Sequence, residues 1–420
     1  MKKNIYIYIF LILVLILYNS SINTNNELDI INTSIYDNEN ILSINIIDDN
    51  EKFIFSEEKN NNYFILRKFN SKKEILIDKK FYLNNIIKKT YSQIFNIKKL
   101  THGYIIYGKK INKKSHTKNE TAWIKVINDA GSLKWQINNL NNNSNFLQEI
   151  VEVNDNSLIL ALQIYTDAKT YVSIIKLDNS GNLLWERKLD AYKKTYISDI
   201  EYTKDQKIII SGSIVDKEKF VNGIPKSLVV QLNFEGDIKW EKIFKKNGIN
   251  DITEIEVIND KDYLVAGTNL FLNTKKDSFS KNKEFIWISK INSKGNILWD
   301  KKINESNQTN NMLLQLNSLN DKSFAIIYKE KTNLESNIYL LKINQNGNII
   351  EKKLLLNQKK QENNYIWDFY EINGNYFLKG INSKTSYVNS WNEKNSKDWI
   401  IKFDEKFNKK WIKEIPKYIN

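Results

Sequence analysis

Residues 173–185 read SIIKLDNSGNLLW, and the same thirteen-residue pattern returns along the chain. It recurs as WIKVINDAGSLKW ending at Trp135, LVVQLNFEGDIKW at Trp240, WISKINSKGNILW at Trp299 and WIIKFDEKFNKKW at Trp411. Two degenerate copies, ILRKFNSKKEILI and YLLKINQNGNIIE, end at Ile77 and Glu351. The seven end points, 77, 135, 185, 240, 299, 351 and 411, lie 50 to 60 residues apart, the period of an array or propeller. The second position is always aliphatic and the fifth always apolar. The sixth is always Asn or Asp: Asn70, Asn128, Asp178, Asn233, Asn292, Asn344 and Asp404. Three places later stands Gly131, Gly181, Gly236, Gly295 or Gly347, with Lys73 and Phe407 as exceptions. A strand, an Asx-started turn with a residue suited to φ > 0, and a second strand make a β-hairpin. The closing tryptophan is expected on the same side as the apolar residue two before it, burying surface worth roughly 2–3 kcal/mol.

Two further strands precede each hairpin. In the fourth unit Tyr196–Thr203 passes through Asp205-Gln206 into KIIISGS. Equivalent second strands start at Gly103, Ser157, Asp262, Ser323 and Asn375, after turns carrying Asp155, Asp260, Asp321 or Asn373. Gly212, Gly267 and Gly380 recur late in these strands, as close backbone approach requires. All four strands are near-continuously apolar, so each unit reads as buried on both faces by its neighbours. No 3.6-residue period competes. The expected fold is all-β, a seven-bladed β-propeller of four-stranded antiparallel blades. The blades run over about 41–82, 88–138, 146–190, 196–245, 251–304, 311–356 and 364–416.

An N-terminal signal helix is expected before the propeller. Met1-Lys2-Lys3 leads into an apolar run over residues 5–18, then Asn19-Ser20-Ser21, the layout of a secretory signal. Such a run gives about 21 Å of helix against a ~30 Å hydrocarbon core. Residues 1–22 therefore read as a signal peptide or, if uncleaved, a short membrane anchor. Residues 23–40 read as a linker or latch strand, with Leu28–Ile31 the candidate strand. The expected location is extracytoplasmic: secreted, periplasmic or cell surface.

Composition narrows the chemistry. Of 420 residues 41% are hydrophobic and 12% aromatic, enough for a sizeable core. The absence of cysteine excludes disulfides, thiolate metal sites and a cysteine nucleophile. A net charge of +14 suggests polyanions, yet Arg67 and Arg187 are the only arginines among 63 basic residues. The rest are lysines among abundant Asn and Ile, matching AAA, AAT and ATA codon usage. Nucleic-acid readers favour arginine for bidentate and stacked contacts, so only weak, non-specific polyanion attraction is expected.

The hairpin motif resembles that of bacterial secreted PQQ-like β-propeller repeat proteins over nearly the whole mature chain. The resemblance implies a propeller exported from the cytoplasm, and not a true quinoprotein enzyme. Quinoprotein repeats favour a Thr-Gly pair in the turn, whereas Ala, Ser, Glu, Lys or Asn precedes glycine here. The sialidase Asp-box differs as well, with shorter intervals from aspartate to glycine and from glycine to tryptophan.

No catalytic, cofactor or metal site is expected. His102 and His116 are too far apart in type of position to share a metal, and no Walker, G-x-S-x-G, H-E-x-x-H or EF-hand motif occurs. The recurring turn Asp and Asn read as Asx caps. Longer inserts at 110–121, 215–226, 270–284 and 382–396 gather on one face. There Lys275, Lys276, Phe279, Tyr387 and Trp391 are the candidate binding residues. The first expectation is an exported, non-enzymatic scaffold for a protein or envelope polysaccharide. The alternative is a carbohydrate-active or cofactor-dependent propeller enzyme with its site in the central channel. It would draw on first-strand carboxylates: Glu149, Glu152, Asp199, Glu201, Glu254, Glu256, Asp368 and Glu371.

Overall fold

The structure is a computed structural model. It describes residues 39–416 apart from 49–50, 59–62, 83–89, 113–118, 142, 216–224, 245–248, 260, 272–282, 304–308, 333–334, 359–362 and 384–396. The signal segment and the strand expected at Leu28–Ile31 lie outside the described residues. Among the described residues the regular structure is all strand.

The strands fall into consecutive antiparallel quartets. The first is β1 (Glu39–Asp48), β2 (Glu51–Glu58), β3 (Tyr63–Phe69) and β4 (Ile75–Tyr82). Next come β5 (Thr90–Leu100), β6 (Gly103–Asn112), β7 (Asn119–Ile127) and β8 (Leu133–Ile137). They are followed by β9 (Ser144–Glu152), β10 (Leu158–Tyr165), β11 (Thr170–Leu177) and β12 (Leu183–Leu189). Then stand β13 (Lys194–Tyr202), β14 (Ile208–Val215), β15 (Lys226–Leu232) and β16 (Ile238–Phe244). β17 (Ile249–Ile258), β18 (Asp262–Phe271), β19 (Lys283–Asn292) and β20 (Ile297–Ile303) form the next group. It is succeeded by β21 (Asn310–Ser318), β22 (Phe324–Lys331), β23 (Ser336–Ile343) and β24 (Ile349–Gln358). The chain ends with β25 (Asn363–Ile372), β26 (Asn375–Ser383), β27 (Lys397–Phe403) and β28 (Lys409–Pro416). One parallel contact, Thr170 opposite Lys194, joins β9–β12 and β13–β16 into an eight-stranded sheet.

Burial is graded across each quartet rather than uniform. The middle strands are buried almost throughout, as in β10 and β11. The outer strands β12, β16 and β20 are mostly exposed, which corrects the expectation of four strands buried on both faces. An outer strand has hydrogen-bond neighbours on one side only and sits at the sheet edge, where packing from adjacent quartets thins out.

The hairpin between third and fourth strands carries the recurring window. Gly131, Gly181, Gly236, Gly295 and Gly347 have φ between 69 and 84, and Lys73 and Phe407 occupy the same left-handed site. The Asn or Asp at the sixth position caps the turn: Asp178 Oδ1 accepts the N–H groups of Ser180 and Asn182, both at 2.8 Å. After each turn the register skips one residue, Leu184 in β12 and Leu298 in β20. This bulge breaks strand alternation. Leu183 and Ile297 therefore point to solvent, 60% and 45% exposed, contrary to the burial expected two residues before tryptophan.

The tryptophans serve the next quartet. The rings of Trp135, Trp185, Trp240 and Trp299 lie on the backbones of Gly181, Gly236, Gly295 and Gly347. Three of the indoles also donate to a carbonyl of that neighbouring turn: Trp135 to Asn179, Trp185 to Phe234 and Trp240 to Ser293. Beneath the rings runs a column the sequence motif did not expose. Lys176 and Lys290 stand opposite Trp185 and Trp299 and pair with Asp155 and Asp262 of the first turn at 3.1 and 3.0 Å. Lys68–Glu51 and Lys342–Asp321 repeat the pairing at 2.6 Å.

The chain divides into two compact units, residues 83–362 and residues 1–82 with 363–420. In the first, β5–β24 stack quartet on quartet through apolar layers such as Ile159, Ile174, Ile210 and Val230. In the second, the first and last quartets of the chain share a core of Ile44, Ile54, Phe69, Phe377, Ile400 and Trp411. There the Lys379 ammonium donates to Ile44 O at 2.9 Å and Asn45 Oδ1 at 3.3 Å.

At Gly236 an added Cβ would stand 2.9 Å from the Trp185 ring, at φ +83, whereas Gly374, at φ +74, has nothing within 4 Å. Gly236→Ala is expected to cost about 2–4 kcal/mol, strain plus displacement of the indole, and Gly374→Ala only about 1–2 kcal/mol. Urea unfolding of each variant measures this, and equal losses would show that the indole contact adds nothing.

Candidate functional site

The first strands of the 83–362 unit lie side by side, with β9 against β13, β13 against β17 and β17 against β21. Each carries a bulge at a matching place. The register skips Phe95, Gln148, Ser198, Thr253 and Leu314 in β5, β9, β13, β17 and β21. Opposite the bulge in β14 sits Gly212, where a Cβ would stand 2.0 Å from Tyr196 O. The glycine is required by that close backbone approach, as the sequence implied.

The residue after each bulge is polar: Asn96, Glu149, Asp199, Glu254 and Gln315. In the first three the side-chain oxygen accepts the N–H of the next residue, at 2.9, 3.1 and 2.7 Å. Two places further come Lys98, Val151, Glu201, Glu256 and Asn317. The register thus divides the first-strand glutamates into two sets. Glu201 and Glu256 are equivalent, while Glu152 and Glu371 lie one residue later, on the opposite side of their strands.

Four of the first-strand carboxylates tie adjacent strands together. Asp199 Oδ2 accepts the N–H of Ile255 in β17 at 3.0 Å. Glu149 binds the Lys98 ammonium, which also donates to Ile150 O at 3.1 Å. Glu152 accepts the N–H and hydroxyl of Thr101 at 2.8 and 3.1 Å. Glu256 accepts from the backbone and hydroxyl of Ser318. Glu201 differs from these four: burial and the charges of Asp199, Glu256, Lys98 and Glu149, rather than hydrogen bonds, dominate its surroundings.

Crowding of negative charge in a half-buried recess moves the proton affinities. Burial, reinforced by the Glu149 charge, pushes the Asp199 carboxyl up to about 6 against the pull of its N–H donors. Burial lifts Glu201 well above the usual carboxylate range, with Asp199 and Glu256 adding to the effect. Burial also raises Glu256 to about 7, opposed by its bonds from Ser318. Desolvation disfavours the Lys98 ammonium, but Glu149, Tyr107 and Asp199 raise its pKa above the ordinary lysine value.

The expected binding residues Lys275, Lys276, Phe279, Tyr387 and Trp391 lie outside the described residues. Their connections join second to third strands, as do those after β6 and β14, while the equivalent connection from Tyr165 to Thr170 is short. His116 also lies outside, and His102 lines a cavity of about 60 Å³ with Trp135, Glu152 and Asn179. A cavity of about 220 Å³ lies along the outer strand β12, lined by Ile137, Leu140, Leu183 and Glu186. Among the described residues no three His, Cys, Asp or Glu side chains are arranged to hold a metal ion. Both arginines are structural: Arg187 donates to Gly236 O at 2.7 Å, and Arg67 to Ser56 and Asp78 at 3.3 Å.

No family model matches the chain, and no curated protein matches it. Solved structures do. A puromycin hydrolase matches at 7% identity and TM-score 0.50, over 90% of this chain and 53% of that one. The chain thus spans about half the length of that hydrolase. A polysaccharide lyase, an ulvan lyase bound to a saccharide, matches at 10% identity and TM-score 0.50, over 83% of this chain and 92% of that one. At these identities the likeness is one of fold, a β-rich, propeller-like chain.

The raised carboxyls make folding hold protons. Below about pH 4 both folded and unfolded forms are protonated and the contribution is whole; it is lost as pH rises through 6 for Asp199 and 7 for Glu256. Glu256→Gln keeps an oxygen to accept from Ser318 and removes the charge. The variant is expected to gain roughly 1–2 kcal/mol over the parent at about pH 8 and nothing at about pH 4. Urea unfolding at the two pH values checks this, and a gain independent of pH would refute the assignment.

Proposed function

We propose that the chain is an exported, non-enzymatic seven-bladed β-propeller that holds a protein or an envelope polysaccharide on its loop-rich face. The observation that carries this reading is the employment of the first-strand carboxylates. Asp199, Glu149, Glu152 and Glu256 all accept hydrogen bonds from the polypeptide, three of them from a neighbouring quartet's backbone or hydroxyl groups. Residues so engaged brace a platform. They are not free to meet a substrate in the channel, where convergent unengaged carboxylates would be needed. Lys68, Lys176, Lys290 and Lys342 are likewise paired inside the repeats, so these four of the 63 basic residues brace the fold. The N-terminal signal pattern supports export, and the long second-to-third-strand connections supply the variable surface.

A second reading, an enzyme working from the channel, is favoured by one residue. Burial and neighbouring carboxylates raise the proton affinity of Glu201, which suits a general acid. The named activities of the neighbours, a hydrolase and a lyase, belong to those proteins and accord with this reading as well as with the first.

Affinity capture separates the two. Residues 23–420 are immobilised and exposed to an envelope extract of the source cell at moderate and high salt. A scaffold is expected to keep one partner at high salt and to lose it when 382–396 is replaced by a short glycine-serine linker. Retention of acidic polymers at low salt alone would mean that displayed lysines do the binding. An empty column, with turnover of an extract glycan that Glu201→Gln abolishes, would establish the enzyme instead.

A further inference from the structure

The second residue after the closing position of the repeat is basic in six of its seven copies: Lys79, Arg187, Lys242, Lys301, Lys353 and Lys413. Two of these show its task, which is to close the joint with the next hairpin. Arg187 donates to Gly236 O at 2.7 Å and to Asp237 Oδ1 at 3.2 Å. Lys301 likewise donates to Asn346 O at 2.7 Å and to Asn348 Oδ1 at 3.0 Å. The seventh copy has Ile137, whose side chain carries no donor. Its strand β8 also stops there, two residues sooner after the tryptophan than β12 and β16 do. At this joint, between β8 and β12, lies the cavity of about 220 Å³.

The walls of the cavity are built by the fold. Ile137 and Leu140 pack on a core that contains Ile175 and Leu177, and exposed Leu183 completes the apolar lining. The Leu140 N–H donates to Ala122 O at 3.1 Å, and the buried Asn145 side chain donates to Asn141 O at 2.9 Å. These bonds fix the connection after β8 that forms one wall. Glu186 is the one ionisable residue in the lining, and its Oε1 accepts the Ser173 hydroxyl at 2.6 Å. A carboxylate has about four acceptor sites, so this bond orients the group and leaves others open to a donor.

The neighbouring joint shows what a carboxylate at this place accepts. Glu241 of β16 is the repeat equivalent of Glu186, and it takes the phenol hydroxyl of Tyr192 from the connection after β12. The connection after β8, NNLNNN at 138–143, has no aromatic residue to offer. Apolar cavities of ~150 Å³ take up a benzene ring. The larger volume here adds room for a hydroxyl and a small substituent opposite it. We propose that the cavity between β8 and β12 binds a small neutral phenol, its ring against Ile137, Leu140 and Leu183 and its hydroxyl donating to Glu186. The site does not rest on the scaffold reading.

Titration of the full chain with p-cresol, followed by saturation-transfer NMR, tests this. One molecule per chain is expected, with a dissociation constant of roughly 0.1–1 mM for a ligand of this size. The methyl ether of p-cresol keeps the shape without the hydroxyl donor and should bind about tenfold more weakly. Glu186→Gln keeps an acceptor for Ser173 and should weaken p-cresol about three- to tenfold. Ile137→Lys restores the basic residue of the other six copies, which closes the gap, and should abolish binding. Glu241→Gln, in the next joint, should bind as the parent does. N-acetyl-tyrosinamide is a separate arm: its binding would extend the site to tyrosine side chains, and binding of p-cresol alone would restrict it to free phenols. No p-cresol binding, equal binding of the ether, or full affinity in Glu186→Gln or Ile137→Lys would overturn the proposal. Should Ile137→Lys not fold, Leu183→Trp, at an exposed position of the lining, supplies the obstruction instead.

Discussion

An indole laid flat on the glycine of the next hairpin is the contact on which the 83–362 unit depends. It couples two constraints that would otherwise be independent. The turn demands a left-handed residue, and the neighbouring ring demands that this residue have no side chain. Glycine alone meets both, and in three of the four joints the indole N–H then closes on a carbonyl of the same turn. Arg187 reinforces one such joint by donating to Gly236 O, beside the ring of Trp185. From β9–β12 to β21–β24, each quartet is thus held by a ring from its predecessor. Stability in such a stack is mainly a sum of nearest-neighbour terms.

The exceptions to the repeat show the same logic. Glu351 stands where the tryptophan would be, in register with Lys342, whose ammonium pairs with Asp321 at 2.6 Å. Phe407 stands at a left-handed turn position where glycine is usual. Its ring is buried and stacks on Tyr376 with centroids 4.3 Å apart, so the side chain fills its own surroundings.

Local chemistry made the hairpins legible in the amino-acid sequence. Asn128, Asp178 and their equivalents cap turns through their own side chains, and the glycine three places on answers a demand of the same few residues. What the motif could not show was anything that depends on register. The bulge after the turn exposes Leu183 and Ile297, and no residue type announces it. The first-strand bulges likewise split the glutamates into two sets, parting Glu152 from Glu201 and Glu256. Trp185 reads as a core residue of its own hairpin, since Gly236 is distant in sequence. The acidic recess was visible only as a tally of carboxylates. That burial and charge dominate at Glu201, while Asp199 and Glu256 accept hydrogen bonds, follows from strand neighbours that a single chain position does not name.

The unit built from both chain ends has a kinetic meaning. Ile44 and Phe69 share a core with Phe377 and Trp411, and Lys379 reaches Ile44 across more than three hundred residues. Contacts of that separation form late, because the intervening chain must first be made and confined. While the polypeptide emerges from its amino end, β1–β4 wait with one apolar face uncovered until β25–β28 arrive. The quartets between them, whose joints are all local, can assemble in the meantime. The first quartet made is then sealed only when the last one arrives, and over that interval its open face is exposed to mispairing or to a chaperone.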